Sequence, residues 1–291
     1  MTEIGVNKDF SCLIANVLPD VQLLANAQCF PLYLYEPKTG RRNRIFKEEA
    51  PSESFVKKDA LADSALTNFR DHYQDRKISK EDLFYYVYGV LHSPEYRDRY
   101  AADLKKMLPR IPFAPNFWTF SKAGRELASW HLNYETVDPW KDVNVAIPQA
   151  GKTKSSEDLY RVTKMRFGRL VGGKTDKTVI QLNEDVTISG IPLAAYEYVV
   201  NGKSAIDWIM EQYQVYTDMD SGIRNDPNDW CKEHGDPLYL FNLLLRIIRV
   251  NMETVKIVNG LPSLETEDMR GYGASSSGGE TIAAERDERN D

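Results

Sequence analysis

What the sequence has little of sets the first limits. Three cysteines in 291 residues, Cys12, Cys29 and Cys231, stand far apart with no CxxC pair. That excludes a disulfide framework and a thiolate zinc site, and it fits thiols kept in a reducing cytoplasm. Four histidines, His72, His92, His131 and His234, are scattered without metal-ligand spacing. Each is expected at a helix end or on the surface, and no metal is expected. No apolar run reaches the roughly 18 residues a membrane span needs, and the opening MTEIGVNKDFSC is too polar for a signal peptide. Gly-x-Ser-x-Gly, HExxH and Cys/His nucleophile patterns are all missing. The expectation is no catalytic residue and no cofactor.

Positive charge is also not in excess. The net charge is −6, which excludes a protein that grips nucleic acid with its whole surface. From Glu265 onward, however, stand eight acidic residues and three arginines, leaving 34 basic against 35 acidic side chains in residues 1–264. The end, GYGASSSGGETIAAERDERND, is rich in Gly, Ser and charge, so a disordered acidic tail is expected over 265–291 and a folded domain over 1–264. In a near-neutral body, local patches decide what it binds.

What is there reads as α+β: a helical hairpin and a C-terminal long helix around a β-rich middle. Short strands fit residues 13–37, above all Gln28 to Tyr35. A helix fits 60–76. Ser79 can cap a helix whose third residue is Asp82, and Ser93-Pro94 starts another, with Tyr96, Tyr100, Leu104 and Leu108 as its buried stripe. A further helix is expected from Lys122 to Leu132 after Ser121. Alternation predicts a strand over Leu159–Phe167, a second over Thr178–Asn183 and a third over Val186–Ile188. Helices are expected over Pro192–Val200, Ala205–Tyr213 after Ser204, and Pro237 to about Val258 with Asp236 as cap.

One stretch, FGRLVGGKTDKTVIQLN, fits G-x-x-x-x-G-K-[ST] at Gly168, Gly173, Lys174 and Thr175. A phosphate loop needs a buried strand before it and a helix beginning at the lysine, whose free N–H groups hold the anion. Here Arg161, Lys164 and Arg166 precede it and a β-branched run follows, so a β-hairpin with a glycine-rich tip is expected. A P-loop nucleotide-binding enzyme using Gly168–Thr175 is the alternative. Between Lys152 and Lys177 lie eight basic and three acidic residues, and between Lys38 and Lys47 five basic and none acidic. Such projections can seat on phosphates or enter a major groove. TDMDSGIRNDPNDW resembles a calcium loop, but its Gly222 falls at the fifth position and no glutamate closes it, so Asx-capped turns are expected. Asn116 and Gln149 are candidate adenine readers.

The block ISKEDLFYYVYGVLHSPEYRDRYAADLKKMLPRIPF, with SCLIANVLPDVQLLANAQCFPLYLYE before it and FWTFSKAGRELASWHLNYE after it, resembles the C-terminal specificity region of Type ISP restriction–modification enzymes. IPLAAYEYVVNGKSAIDWIMEQY, SGIRNDPNDW and LLLRIIRVNMETVKIVNGLPSL extend the likeness in order over about residues 10–264. The resemblance implies sequence-specific binding of double-stranded DNA as a target-recognition module of a bacterial defence system in the cytoplasm. Its partners would be methyltransferase and helicase–nuclease domains or subunits. The Asn-Pro-Pro-Tyr and glycine motifs of adenine methyltransferases, helicase motifs and a D…(D/E)xK nuclease site do not occur here. A split-gene piece or a truncated remnant is expected, and a docking piece that binds no DNA is a further alternative. Arg41, Arg42, Arg44, Arg161, Lys164, Arg166, Arg169 and Lys174 are the expected DNA contacts.

Overall fold

A computed structural model describes residues 10–19, 28–38, 55–149 and 151–264. Arg41, Arg42, Arg44 and the expected acidic tail lie outside the described residues. The fold is α+β, built on two hydrophobic cores joined by one helix.

The first core is helical. A ribbon of β1 (Tyr33–Pro37) and β2 (Phe55–Asp59) pairs antiparallel and leads into α1 (Asp63–Tyr73) and α2 (Lys80–His92). The Ser79 hydroxyl accepts from the Asp82 amide at 3.1 Å, and the Asp82 carboxylate accepts from the Ser79 amide at 3.1 Å. This reciprocal box satisfies two orphan donors at the helix start. Ser93 caps α3 (Pro94–Arg99), but the expected long helix breaks at Tyr100, resumes as α4 (Ala101–Leu104) and stops there. Leu108, expected in the buried stripe, is exposed.

α5 (Phe117–Leu132) starts earlier than the sequence pattern indicates. Asn116 is its cap, its side-chain oxygen accepting from the Thr119 amide at 3.0 Å. Ser121 lies inside the helix and donates to the Asp82 carbonyl. Three tyrosines pin the proline-rich run between α4 and α5. Tyr96 donates to Arg110 O, Tyr86 to Pro112 O and Tyr73 to Ala114 O, at 2.6–2.7 Å. Each buries its ring and gives its hydroxyl a partner.

The second core holds a four-stranded antiparallel sheet in the order β3 (Asn144–Ala146), β6 (Thr187–Ser189), β5 (Thr175–Gln181), β4 (Arg166–Arg169). Its inner face, with Ile180 and Ile188, packs on α7 (Ala205–Gln212) and α9 (Tyr239–Asn259). Ser204 caps α7 as expected. The segment 192–200 is a single 3-10 turn at Leu193–Tyr196 and then β7 (Val199–Val200), which pairs with β8 (Lys203–Ser204). Asp236 accepts from the Leu238 amide just ahead of α9, but the helix has no side-chain cap at Leu238.

α9 is buried on nearly every side through its first half, beyond the single stripe expected. Leu243, Leu244 and Ile248 sit in the sheet core, while Ile257 and Val258 pack on the helical core. Where the cores meet, His131 bridges Tyr88 on α2 (2.6 Å) and Thr254 on α9 (2.9 Å), and His92 Nδ1 lies 2.8 Å from the Tyr88 carbonyl. Both stand in the last turn of their helices, as expected, and His92 is buried there while His131 is partly buried. Burial holds His131 down to about 4, with the charge of Arg97 adding to it, and burial pushes His92 well below its ordinary range.

Candidate nucleic-acid interface

Of the strand expected over Leu159–Phe167, only Arg166 and Phe167 form it. A short helix, α6 (Ser156–Leu159), is followed by a loop, and β4 begins only at Arg166. Two asparagines explain the loop. Asn228 accepts from the Val162 amide and donates to the Val162 carbonyl, both at 2.8 Å. Asn183 donates to the carbonyls of Leu159 and Arg161, while its own oxygen accepts from the amides of Asp185 and Val186. Side-chain amides thus replace a strand partner for this backbone. Val162 and Met165 point into the core, and Thr163 and Lys164 are presented outward.

Asp226 stiffens the same place. It caps α8 (Pro227–Glu233), accepting from the Asn228 amide at 3.0 Å, and forms ion pairs with Arg161 and Arg224. Burial pushes its carboxyl upward, but the Asn228 hydrogen bonds and the Arg161 charge outweigh that and hold it below the usual carboxylate range. The nearby aspartate Asp218 accepts from Ser221 and from the Asp220 amide, the Asx turn expected for the calcium-like stretch.

Beyond the loop, β4 and β5 form the expected hairpin. Arg166 pairs with Gln181 and Phe167 with Ile180; then the register shifts, and Gly168 pairs with Asp176. A Cβ at Gly168 would lie 2.8 Å from the Val179 Cβ, so the bulge needs glycine here. At the tip, Gly172 and Gly173 have φ of 89° and 81°, a region other residues rarely enter. An antiparallel strand, not a helix, follows Lys174. The phosphate-loop reading falls on this point, because no helix N-terminus exists there to hold an anion.

Arg161, Lys164 and Arg166 line one groove of about 550 Å³ together with Thr163, Gln181 and Asn183. Its side chains divide sharply. Arg161 is held by Asp226, Asp185 by Lys154 from outside the groove at 2.6 Å, and both amide atoms of Asn183 by backbone. The side chains of Lys164, Arg166 and Gln181 make no hydrogen bond or ion pair with any described residue, although Arg166 and Gln181 are paired through their backbones in the sheet. Arg169 and Lys174 stand exposed near the hairpin end, outside the groove, with Arg169 donating to Gly173 O at 3.3 Å. Gln149 is exposed and has no place in the groove. Gln181 escaped the sequence reading although its strand was expected, because the register that sets it beside Arg166 depends on the bulge.

The groove thus carries three basic side chains, Arg161, Lys164 and Arg166, and three acidic ones, Asp158, Glu184 and Asp185, on an α+β scaffold. The family model of the Type ISP C-terminal specificity domain matches residues 1–243, and the chain belongs to that family. Among solved structures it is similar to the ATP-dependent Type ISP restriction-modification enzyme LlaBIII bound to DNA, with 38% identity, a TM-score of 0.74 and 90% of this chain on 15% of that one. A nuclease-deletion mutant of the Type ISP enzyme LlaGI, in complex with a DNA substrate mimic, gives 37%, 0.68, and 91% on 17%. A DrdV–DNA complex gives 30%, 0.74, and 91% on 24%. The chain therefore spans less than a quarter of each of these neighbours. No curated protein matches. No helix among the described residues is long and apolar enough to cross a membrane.

Proposed function

We propose that this chain recognises duplex DNA as the target-recognition module of a cytoplasmic restriction–modification enzyme, with methylation, translocation and cleavage supplied by other domains or subunits. The observation that carries the reading is the set of unpartnered polar side chains, Lys164, Arg166 and Gln181, on the lip of one groove in a chain of the specificity-domain family. Cations already bound to carboxylates must give up those partners to bind phosphate; free ones need not. Arg169 and Lys174 extend the same positive side along the hairpin, and Arg41, Arg42 and Arg44 belong to the proposal from sequence alone. The β1–β2 ribbon exposes Leu34 and Val56 on one face and Tyr35 and Phe55 on the other, apolar groups for the partner domains to cover.

Affinity for duplex DNA measured against salt tests this. Each phosphate contact contributes a slope of about −0.9 to log K against log salt. The chain should bind weakly and lose affinity steeply with salt, and Lys164→Ala should flatten the slope by about one contact. Binding that ignores salt, or a slope unchanged in this variant, would contradict the reading.

A further inference from the structure

Gln181 stands at the centre of a row that crosses three strands. Arg166 is its partner on β4 and Thr187 its partner on β6. Directly paired residues on antiparallel strands carry their side chains on the same face, with Cβ atoms about 5 Å apart. The neighbouring pair, Phe167 and Ile180, points the other way, and Ile180 is buried in the core. Arg166, Gln181 and Thr187 therefore share the outer face, and all three line the groove.

Their neighbours show why this row can read bases and others cannot. The amides of Asn183 and Asn228 are used up by backbone groups. Arg161 is tied to a carboxylate that is 5% exposed. Asp158 is held by the Ser155 hydroxyl and Asp185 by Lys154. Glu184, in the turn between β5 and β6, makes no side-chain hydrogen bond among the described residues, and its charge acts on Lys154. Side by side on the outer face, without side-chain partners, stand a guanidinium, an amide and a hydroxyl, with Lys164 and Thr163 lining the same groove.

We propose that Arg166 and Gln181 are the base-reading pair of this chain, placed by the sheet in the major groove on two adjacent base pairs. Arg166 takes guanine through O6 and N7, and Gln181 takes adenine through N6 and N7. A spacing of about 5 Å at Cβ lets two long side chains converge on base pairs stacked about 3.4 Å apart. A guanidinium matches two acceptors and an amide matches one donor and one acceptor, the patterns that guanine and adenine present in that groove. This assignment rests on the DNA-recognition reading above.

Enrichment of a randomised duplex library by the full 291-residue chain is the test. The unaltered chain should enrich a motif containing adjacent guanine and adenine. Gln181→Ala should lose discrimination at the adenine alone, by about tenfold to a hundredfold. Gln181→Glu should shift that position towards cytosine, whose amino group a carboxylate accepts. Arg166→Ala should relax only the guanine, whereas Lys164→Ala should weaken all sequences alike. Gln181 is exposed, so these variants should fold, and circular dichroism checks it. If the unaltered chain enriches nothing, the DNA-recognition reading falls and this assignment with it. A motif that persists unchanged in the Gln181 and Arg166 variants overturns the assignment and leaves the broader reading standing.

Discussion

Two imidazoles between the cores, His92 buried and His131 partly buried, make a pH-sensitive joint. His131 accepts or donates at both ring nitrogens, to Tyr88 and Thr254, while His92 Nε2 is buried without a partner. Because burial depresses both, the unfolded chain binds their protons more readily than the folded one. Their stabilising contribution is fully present above about pH 6.5 and is lost as pH falls towards about 4, the value for His131. A shift from 6.5 to about 4 corresponds to about 3 kcal/mol. Urea unfolding of the unaltered chain and of His131→Gln should show a stability gap that narrows by about that amount between pH 7 and pH 4. A gap constant over this range would place the charge change elsewhere. Sequence alone gave no sign of this burial, since the partners come from α2 and α9, far along the chain. The box at Ser79 and Asp82 was legible because both members lie within one turn.

Between elements, the tightest contact joins α2 and α5. A Cβ built on Gly124 would lie 1.8 Å from the Tyr85 carbonyl oxygen, and one on Gly89 would lie 2.3 Å from the Phe120 carbonyl oxygen. The two helix backbones touch at these glycines, so a methyl group there must push the helices apart. Gly124→Ala should destabilise the chain by about 3 kcal/mol in denaturant unfolding. Gly172→Ala, with nothing within 4 Å but a φ of 89°, should cost only about 1 kcal/mol of backbone strain. Equal effects would show that the helix contact is looser than described. The hairpin at 166–181 was readable from its glycines and β-branched run. The loop ahead of it was not: residues 159–167 alternate like a strand, but Asn183 and Asn228 capture their backbone groups from outside the local window.

At the scale of the whole molecule, the fold class and the family were both legible, the first from periodicity and the second from ordered blocks. The α9 helix carries apolar side chains on nearly every face because it serves two cores at once, which no single-stripe pattern describes. Charge total was a poor guide to the site. The described body holds many cations, but ion pairs such as Arg161–Asp226, Lys154–Asp185 and Lys177–Asp207 remove several from play. Cations without a carboxylate partner also stand on the helical lobe, Lys77 and Lys106 among them; what marks the candidate face is that Lys164, Arg166 and Gln181 are gathered in one groove, a property that appears only in three dimensions.

The central claim is that this face, and not the helical lobe, lies against DNA. Photo-crosslinking reads it directly. In a Cys29→Ser background, which removes the exposed thiol and keeps the buried Cys12 and Cys231, a thiol-directed crosslinker is attached at Thr163→Cys on the groove or at Lys122→Cys on α5. The account predicts covalent capture of duplex DNA from position 163, suppressed by salt, and background capture from position 122. Equal capture from both, or capture from position 122 alone, would contradict it.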